Sequence, residues 1–282
     1  MARVLIAGCG DVGTALGLEL GRDGHEVWGL RREPSGLPAP VCPLAADLAR
    51  PETLTGLPDA VDLVCYAAAA DGFSESAYRV VYADGVRNLL QALAGRSVRR
   101  FVFVSSTGVY GQGGGEWVDE ASPAEPAGFS GRCVLEGERA VLAGPFPGVV
   151  VRFGGIYGPG RTRLIEGVRR REPCVESPPR YTNRIHRDDC AGVLRHLLEL
   201  PSPQSVYLGV DCDPAPDCEV RDWIAGLLGV VRPPRIAEAE AGPQRGNKRC
   251  RTERLLASGY RFRYPSYREG YRALLSEPAA HE

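Results

Sequence analysis

Lysine is all but missing from this sequence. Lys248 is the only one among 282 residues, so 33 of the 34 basic side chains are arginine. A cation needed for chemistry elsewhere in the chain would have to be a guanidinium, whose pKa stays above ~12 and which shuttles protons poorly. Excess charge is missing too: 34 basic and 35 acidic residues leave a formal net charge of −1. Such a chain, with no aromatic–basic surface pattern, gives no reason to expect a nucleic-acid or membrane-surface partner. No apolar run approaches the ~20 residues that span a bilayer. The first residues enter a strand pattern at once, with no secretory h-region, so a cytoplasmic protein is expected. Nine cysteines are present, yet C-x-x-C pairs and zinc-ligand His spacings are absent. The nearest pair, Cys212 and Cys218 in DCDPAPDC, reads as a solvated loop rather than a metal loop. No metal is expected, and free thiols are the default. The remaining composition, 44% hydrophobic and 24% charged, is that of an ordinary globular chain with a substantial core.

What is there is concentrated at the start, in MARVLIAGCGDVG. Val4, Leu5, Ile6 and Ala7 form an apolar, β-branched run, the pattern of a strand buried on both faces. Gly8, Gly10 and Gly13 follow at G-x-G-x-x-G spacing, with Cys9, Asp11 and Val12 between them, and residues 14–20 read as a helix. Each glycine has a mechanical reason: a sharp turn, close approach of a pyrophosphate, and close helix–sheet packing. The helix N-terminus then faces the phosphates. Lying between a strand and a helix, the motif predicts dinucleotide binding.

Residues 25–30 (HEVWGL) read as the second strand and run into Arg31 and Arg32, with Glu33 only behind them. An acid at this end would bind the ribose 2′-OH of NAD, whereas arginine accommodates a 2′-phosphate. NADP is therefore expected, with NAD as the alternative; a solvated basic turn is the competing reading. Residues 41–46 form a weak strand leading to Asp47 and Leu48, and residues 51–56 a short helix. Residues 62–66 (DLVCY) form a strand ending in Ala67, Ala68, Ala69 and Ala70, small side chains that suit either a ligand or tight packing. Residues 76–94 carry a long helical pattern with Val80, Val81, Val86, Leu89, Leu90 and Leu93 on one broad face, most of them core. Residues 100–105 and 149–153 are further strands. Such alternation predicts an α/β, doubly wound parallel sheet. Beyond residue 154 the composition turns Gly-, Pro- and Arg-rich around helical patterns at 164–168, 188–200, 220–228, 253–258 and 267–275, with a strand at 205–210. The expected organisation is a nucleotide-binding core over residues 1–160, with 181–210 returning to it. Residues 161–180 and 211–282 would form a smaller C-terminal substrate lobe.

GCGDVG at 8–13, SSTGVYG at 105–111, RFGGIYGPGR at 152–161 and RIHRDD at 184–189 occur together in this order. Over roughly residues 3–210 the chain thereby resembles the extended short-chain dehydrogenase/reductases, specifically the NAD-dependent epimerase/dehydratase family. The resemblance implies a Rossmann, NAD(P)-binding fold. It also implies cofactor contacts along the glycine loop, at Asp47 and Leu48 near the adenine, at Ala67, Ala68 and Ala69, at Ser105, and at Phe153 beside the nicotinamide. Ser106 would polarise the reacting carbonyl or hydroxyl.

The family's Tyr-x-x-x-Lys pair has no match. Aligning FSGRCVLEGERAV places Ser130 and Val134 at those positions, and a shift by one gives Phe129 and Cys133. Thr107 and Gly108 stand where the dehydratase acidic pair would be, and Tyr82 near the usual Asn. This is the pattern of atypical extended members. Tyr110, Tyr157, Cys133 and His186 are candidate substitutes, each with a packing or structural reading beside it. Arg180, Arg184 and the run Arg169, Arg170 and Arg171 are candidate contacts for an anionic small-molecule substrate, the run reading equally as a solvated face. Two functions follow: an NADP-dependent oxidoreductase or epimerase-like enzyme with a substituted acid/base, or a non-catalytic NADP-binding sensor. Nothing in the sequence fixes the oligomeric state.

Overall fold

Apolar runs that no face alternates with polar residues belong inside a parallel sheet covered on both sides, and they are found there. The computed structural model describes residues 1–241 and 246–276. In chain order its first half contains β1 (Arg3–Ala7), α1 (Asp11–Arg22), β2 (Glu26–Arg31), β3 (Cys42–Ala45), β4 (Leu63–Tyr66), α2 (Glu75–Arg79), α3 (Gly85–Ala92), β5 (Arg100–Ser106), β6 (Glu116–Val118), α4 (Phe129–Leu142) and β7 (Gly148–Phe153). There follow β8 (Gly155–Tyr157), α5 (Arg163–Arg169), β9 (Cys174–Val175), β10 (Tyr181–Thr182), β11 (Arg184–His186), α6 (Arg187–Glu199), β12 (Val206–Gly209), β13 (Ala215–Pro216), α7 (Asp217–Leu228), β14 (Arg235–Ile236), β15 (Lys248–Cys250), α8 (Glu253–Ala257) and α9 (Tyr267–Ser276).

The central sheet is parallel and seven-stranded, in the order β12-β7-β5-β4-β1-β2-β3. The chain leaves β1 in one direction to lay down β2 and β3, then crosses back to place β4 on the other side of β1. The carboxyl ends of β1 and β4 therefore flank the point where strand order reverses, where ligands of open α/β sheets sit. Register runs Val4 to Leu63 and Ala7 to Tyr66 on one side, Arg3 to Glu26 and Ala7 to Leu30 on the other. Leu5, Ile6, Tyr66, Phe101 and Phe103 are fully buried in this sheet, with Leu16 and Leu20 of α1 against it.

The chain divides into two compact units. The first comprises Met1–Tyr110, Pro123–Arg152 and Cys190–Tyr207; the second comprises Gly111–Ser122, Phe153–Asp189 and Leu208–Glu282. Residues 111–122, 153–160, 181–189 and 208–210, expected with the nucleotide-binding core, group with the second unit. The reason is pairing: β6 runs beside β15, and β8 beside β11, so short strands tie these segments together. Three residues each are too few to leave a period-2 pattern in the sequence. The second unit has its own core of Tyr157, Ile165, Val168, Val220, Ile224, Tyr267 and Tyr271.

The long helix expected over 76–94 is broken in register. A π turn at Val80–Asp84 separates α2 from α3. The extra residue rotates the apolar face, which leaves Val80 exposed and Val81 half-buried while Val86, Leu89 and Leu93 stay in the core. The expectation of free thiols is corrected at one place: Cys174 and Cys218 form a disulfide. No helix among the described residues is long and apolar enough to cross a membrane.

Candidate functional site

The glycine loop has the shape its spacing predicts. Gly8 has φ +87°, and a Cβ there would lie 2.2 Å from the Ala68 amide nitrogen. Only glycine lets the β1 loop rest on the loop after β4. A Cβ at Gly13 would lie 2.8 Å from the Gly8 carbonyl oxygen, so α1 packs directly on the end of β1. Gly10 is different: nothing lies within 4 Å of its Cβ position. Its smallness keeps a volume open in front of α1, whose N-terminus carries no side-chain cap. Open space before an uncapped helix N-terminus is what a pyrophosphate requires. The residues present therefore fit a dinucleotide.

At the end of β2 the two arginines part. The Arg31 guanidinium acts on Cys9 within the glycine loop, partly offsetting the rise that burial imposes on that thiol. Arg32 donates from Nη2 to Asp71 Oδ1 at 2.8 Å, and Asp47 and Glu33 add weaker attraction. Asp71, on the loop after β4, was not among the residues expected at the site. The turn at Asp47 and Leu48 is locked by local bonds. Asp47 Oδ1 takes the Ala49 N–H at 3.0 Å, and the Leu48 carbonyl takes the Asn88 amide at 2.8 Å.

The two serines closing β5 point to different environments. Ser105 is buried and donates its hydroxyl to Glu138 Oε1 at 2.5 Å. Arg152 grips the same carboxylate from two nitrogens, at 2.9 and 2.6 Å, and donates to the Tyr110 hydroxyl at 2.8 Å. Burial draws the Arg152 pKa down, but Glu138 more than offsets it and the guanidinium is held above its ordinary value. Ser106 is exposed, and its oxygen accepts the Gly108 N–H at 3.0 Å. That leaves its proton to donate elsewhere. Phe153 is buried at the last position of β7.

Across from this end, the first turns of α4 carry Phe129, Ser130, Cys133 and Val134. The Phe129 ring lies 5.0 Å from Phe73 and 5.6 Å from Tyr78, and Tyr78 lies 5.3 Å from Tyr82. Tyr82 sits in the π turn. Burial and the neighbouring Tyr78 push its phenol up to about 12.

Most of the candidate substitutes are engaged in packing. Tyr110 belongs to the Arg152 network. Tyr157 stacks on Tyr271 at 4.5 Å and is pushed above its usual range by burial. Burial also raises the Cys133 thiol. His186 is buried against Tyr264 at 4.1 Å, with its Nδ1 accepting the Asp188 N–H. Arg169 and Arg170 pair with Glu166 and Glu172 on the surface, the solvated-face reading. Lys248 lies buried in β15, opposite Glu116 of β6, where burial draws its pKa down.

The second unit holds a cavity of about 580 Å³ whose lining includes Cys174, Arg180, Tyr181, Asp217, Arg221 and Asn247. Arg221 is held by Asp217 at 2.6 Å, and Arg180 pairs with Glu238. The Arg180 Nε is buried with no hydrogen-bond partner among the described residues. The disulfide ties Cys174 of β9 to the first turn of α7, bringing the Asp217 and Arg221 side of the cavity to the Cys174 side. A partnerless buried N–H beside a second guanidinium suits an anionic group.

A Methylobacillus flagellatus protein assigned as an NAD-dependent epimerase/dehydratase has a solved structure that superposes with a TM-score of 0.83. It is 40% identical, with 98% of each chain covered. The Bordetella bronchiseptica enzyme WbmG in complex with NAD superposes with a TM-score of 0.81 at 18% identity, over 98% of this chain and 93% of that one. A 3-diazoavenalumate denitrifying reductase from a Streptomyces species is 28% identical over 308 residues, covering 95% of this chain and 98% of its own. Residues 4–182 match the description of the NAD dependent epimerase/dehydratase family. The glycine cradle, the strand order and this match agree, and the chain belongs to that family.

Proposed function

We propose that the protein is an NADP-dependent oxidoreductase or epimerase-like enzyme that acts on a small anionic substrate without a Tyr-x-x-x-Lys pair. The observation carrying this reading is that the open glycine cradle at the end of β1 lies beside the end of β2, where Arg31 and Arg32 stand with no acid at the first position past the strand. Gly10 and the N-terminus of α1 accommodate the pyrophosphate, Arg31 and Arg32 take the 2′-phosphate, and Asp47 and Leu48 border the adenine. Ala67, Ala68, Ala69 and the end of β7 at Phe153 line the remainder. A bound nicotinamide supplies hydride transfer. Ser106, with its acceptor side occupied by Gly108, donates its hydroxyl proton as a hydrogen bond to the substrate oxygen on which charge develops. Within the second unit, the Arg180 and Arg221 cavity is by itself a candidate site for an anionic group. The Streptomyces relative is itself named a reductase, which supports the oxidoreductase class.

A second reading, a non-catalytic NADP sensor, is favoured by Ser130 with Val134, or Phe129 with Cys133, standing where the family's acid/base pair belongs. Titration with NADPH and NADH by fluorescence, followed by cofactor oxidation against carbonyl and sugar-nucleotide panels, separates the two. Turnover that falls at least tenfold in Ser106→Ala, with NADPH affinity unchanged, supports the enzyme. Tight NADPH binding with no turnover on either panel supports the sensor, and an NADH preference overturns the cofactor assignment.

A further inference from the structure

We propose that Asp71 is a specificity residue for the cofactor, competing with the NADP 2′-phosphate for the Arg32 guanidinium. This rests on the reading of Arg31 and Arg32 as the 2′-phosphate site. The strand order β4-β1-β2 puts the glycine loop of β1 between the ends of β4 and β2. With neighbouring strands about 4.8 Å apart, those two ends are separated by roughly 10 Å. Arg32, the first residue past β2, and Asp71, five residues past β4, nevertheless meet at 2.8 Å. Their ion pair thus reaches across the carboxyl end of β1, at the edge where the cradle opens.

The carboxylate is presented from a loop with fixed points. The Ala67 N–H is held by the Ala7 carbonyl at 2.8 Å and Ala68 lies against Gly8, so Asp71 follows from a loop anchored four and three residues before it. Arg32 holds the Asp71 carboxyl below its usual range, keeping it ionised at neutral pH. The side chains are 62% and 70% exposed, and exposed pairs of this kind hold a guanidinium weakly. A phosphate dianion takes the same guanidinium through shorter, charge-assisted and bidentate bonds. NADP therefore opens the pair, whereas NAD, with a neutral 2′-OH, leaves it closed. Asp71 narrows the discrimination that the two arginines would otherwise give.

The test is calorimetric titration of the full chain with NADP and, separately, NAD, for wild type, Asp71→Asn, Arg32→Ala and the double variant. Both positions are exposed, so folding is checked by thermal melting alone. Competition predicts that Asp71→Asn tightens NADP about three- to fivefold and leaves NAD within about twofold. On the Arg32→Ala background the Asp71 change should leave NADP affinity unaltered, a coupling that a merely structural role of Asp71 would not produce. An unchanged NADP/NAD ratio in Asp71→Asn overturns the proposal, and so does equal weakening of both, which would make the pair a clasp over the dinucleotide. If Arg32→Ala weakens NADP while Asp71→Asn does nothing, only the competition fails. If Arg32→Ala leaves NADP unchanged as well, the assignment of Arg32 to the 2′-phosphate fails with it.

Discussion

Replacing Glu138 by alanine should be among the most damaging single changes in the first unit. Glu138 and Arg152 are 1% and 6% exposed, and the carboxylate takes two bonds from the guanidinium and one from Ser105. Removing it strands a buried cation, which costs about 3–5 kcal/mol. The lost Ser105 bond adds about 1 kcal/mol. A total near 4–6 kcal/mol is a large fraction of a typical domain's stability. The same reasoning makes a second demand. Glu138→Leu combined with Arg152→Met removes both charges together, and so should recover most of the loss, because desolvation of a buried pair consumes much of its Coulombic gain. The readout is urea unfolding followed by tryptophan fluorescence. Trp28 lies in the first unit, whereas Trp117 and Trp223 lie in the second. A Trp117→Phe, Trp223→Phe background therefore reports the first unit alone, with the midpoint compared at constant m. A loss below ~1 kcal/mol for Glu138→Ala, or a double variant no more stable than the single one, would refute the argument.

Gly10→Val should leave the fold intact, since the space at its Cβ position is empty. It should abolish NADPH binding; retained affinity in the folded variant would remove the cradle assignment. Asp211 is 1% exposed, and burial pushes its carboxyl up to about 8, against the opposing Asp213 N–H and Arg184. A raised folded-state pKa means that its contribution is fully present below about pH 4 and is lost as pH rises through about 8. One pKa unit corresponds to about 1.4 kcal/mol, so the loss is on the order of a few kcal/mol. Asp211→Asn, which keeps an acceptor for Asp213, should therefore be stabilised relative to wild type by a margin that grows from pH 5 to pH 9. Parallel stability–pH curves for the two proteins would contradict this.

What the residues disclosed in advance follows the range of the forces involved. Strands β1, β4, β5 and β7 could be read because two covered faces demand unbroken apolar runs. The glycine loop could be read because its three constraints fall within six residues. The extent of α6 and the C-terminal end of α7 followed from their amphipathic patterns for the same local reason, whereas α7 starts at Asp217, three residues before the expected Val220. The π turn could not, because one inserted residue changes the facing of Val80 and Val81 without changing composition. The Cys174–Cys218 disulfide closes over 44 residues, and scanning for near neighbours directed attention to Cys212 instead. Ser105 and Ser106 look equivalent in the motif; only the fold of α4 over β5 gives the first to Glu138 and leaves the second exposed.

The basic end of β2 shows the same limit acting on a functional inference. Two guanidiniums after a strand, each able to take a charge-assisted bond to phosphate, suggest about 10- to 100-fold discrimination for NADP. That figure treats both arginines as unengaged. In the folded chain Arg32 already has a carboxylate at 2.8 Å, contributed from 39 residues away by the strand next but one. Binding then exchanges one anion for another at Arg32, and only the difference between them favours NADP. Arg31, acting on the glycine loop through Cys9 and paired with no carboxylate among the described residues, carries the undiminished share. The discrimination should accordingly sit at the lower end of the range, and Arg31→Ala should reduce it more than Arg32→Ala does. The reverse order of effects would mean that Asp71 assists phosphate binding instead of opposing it.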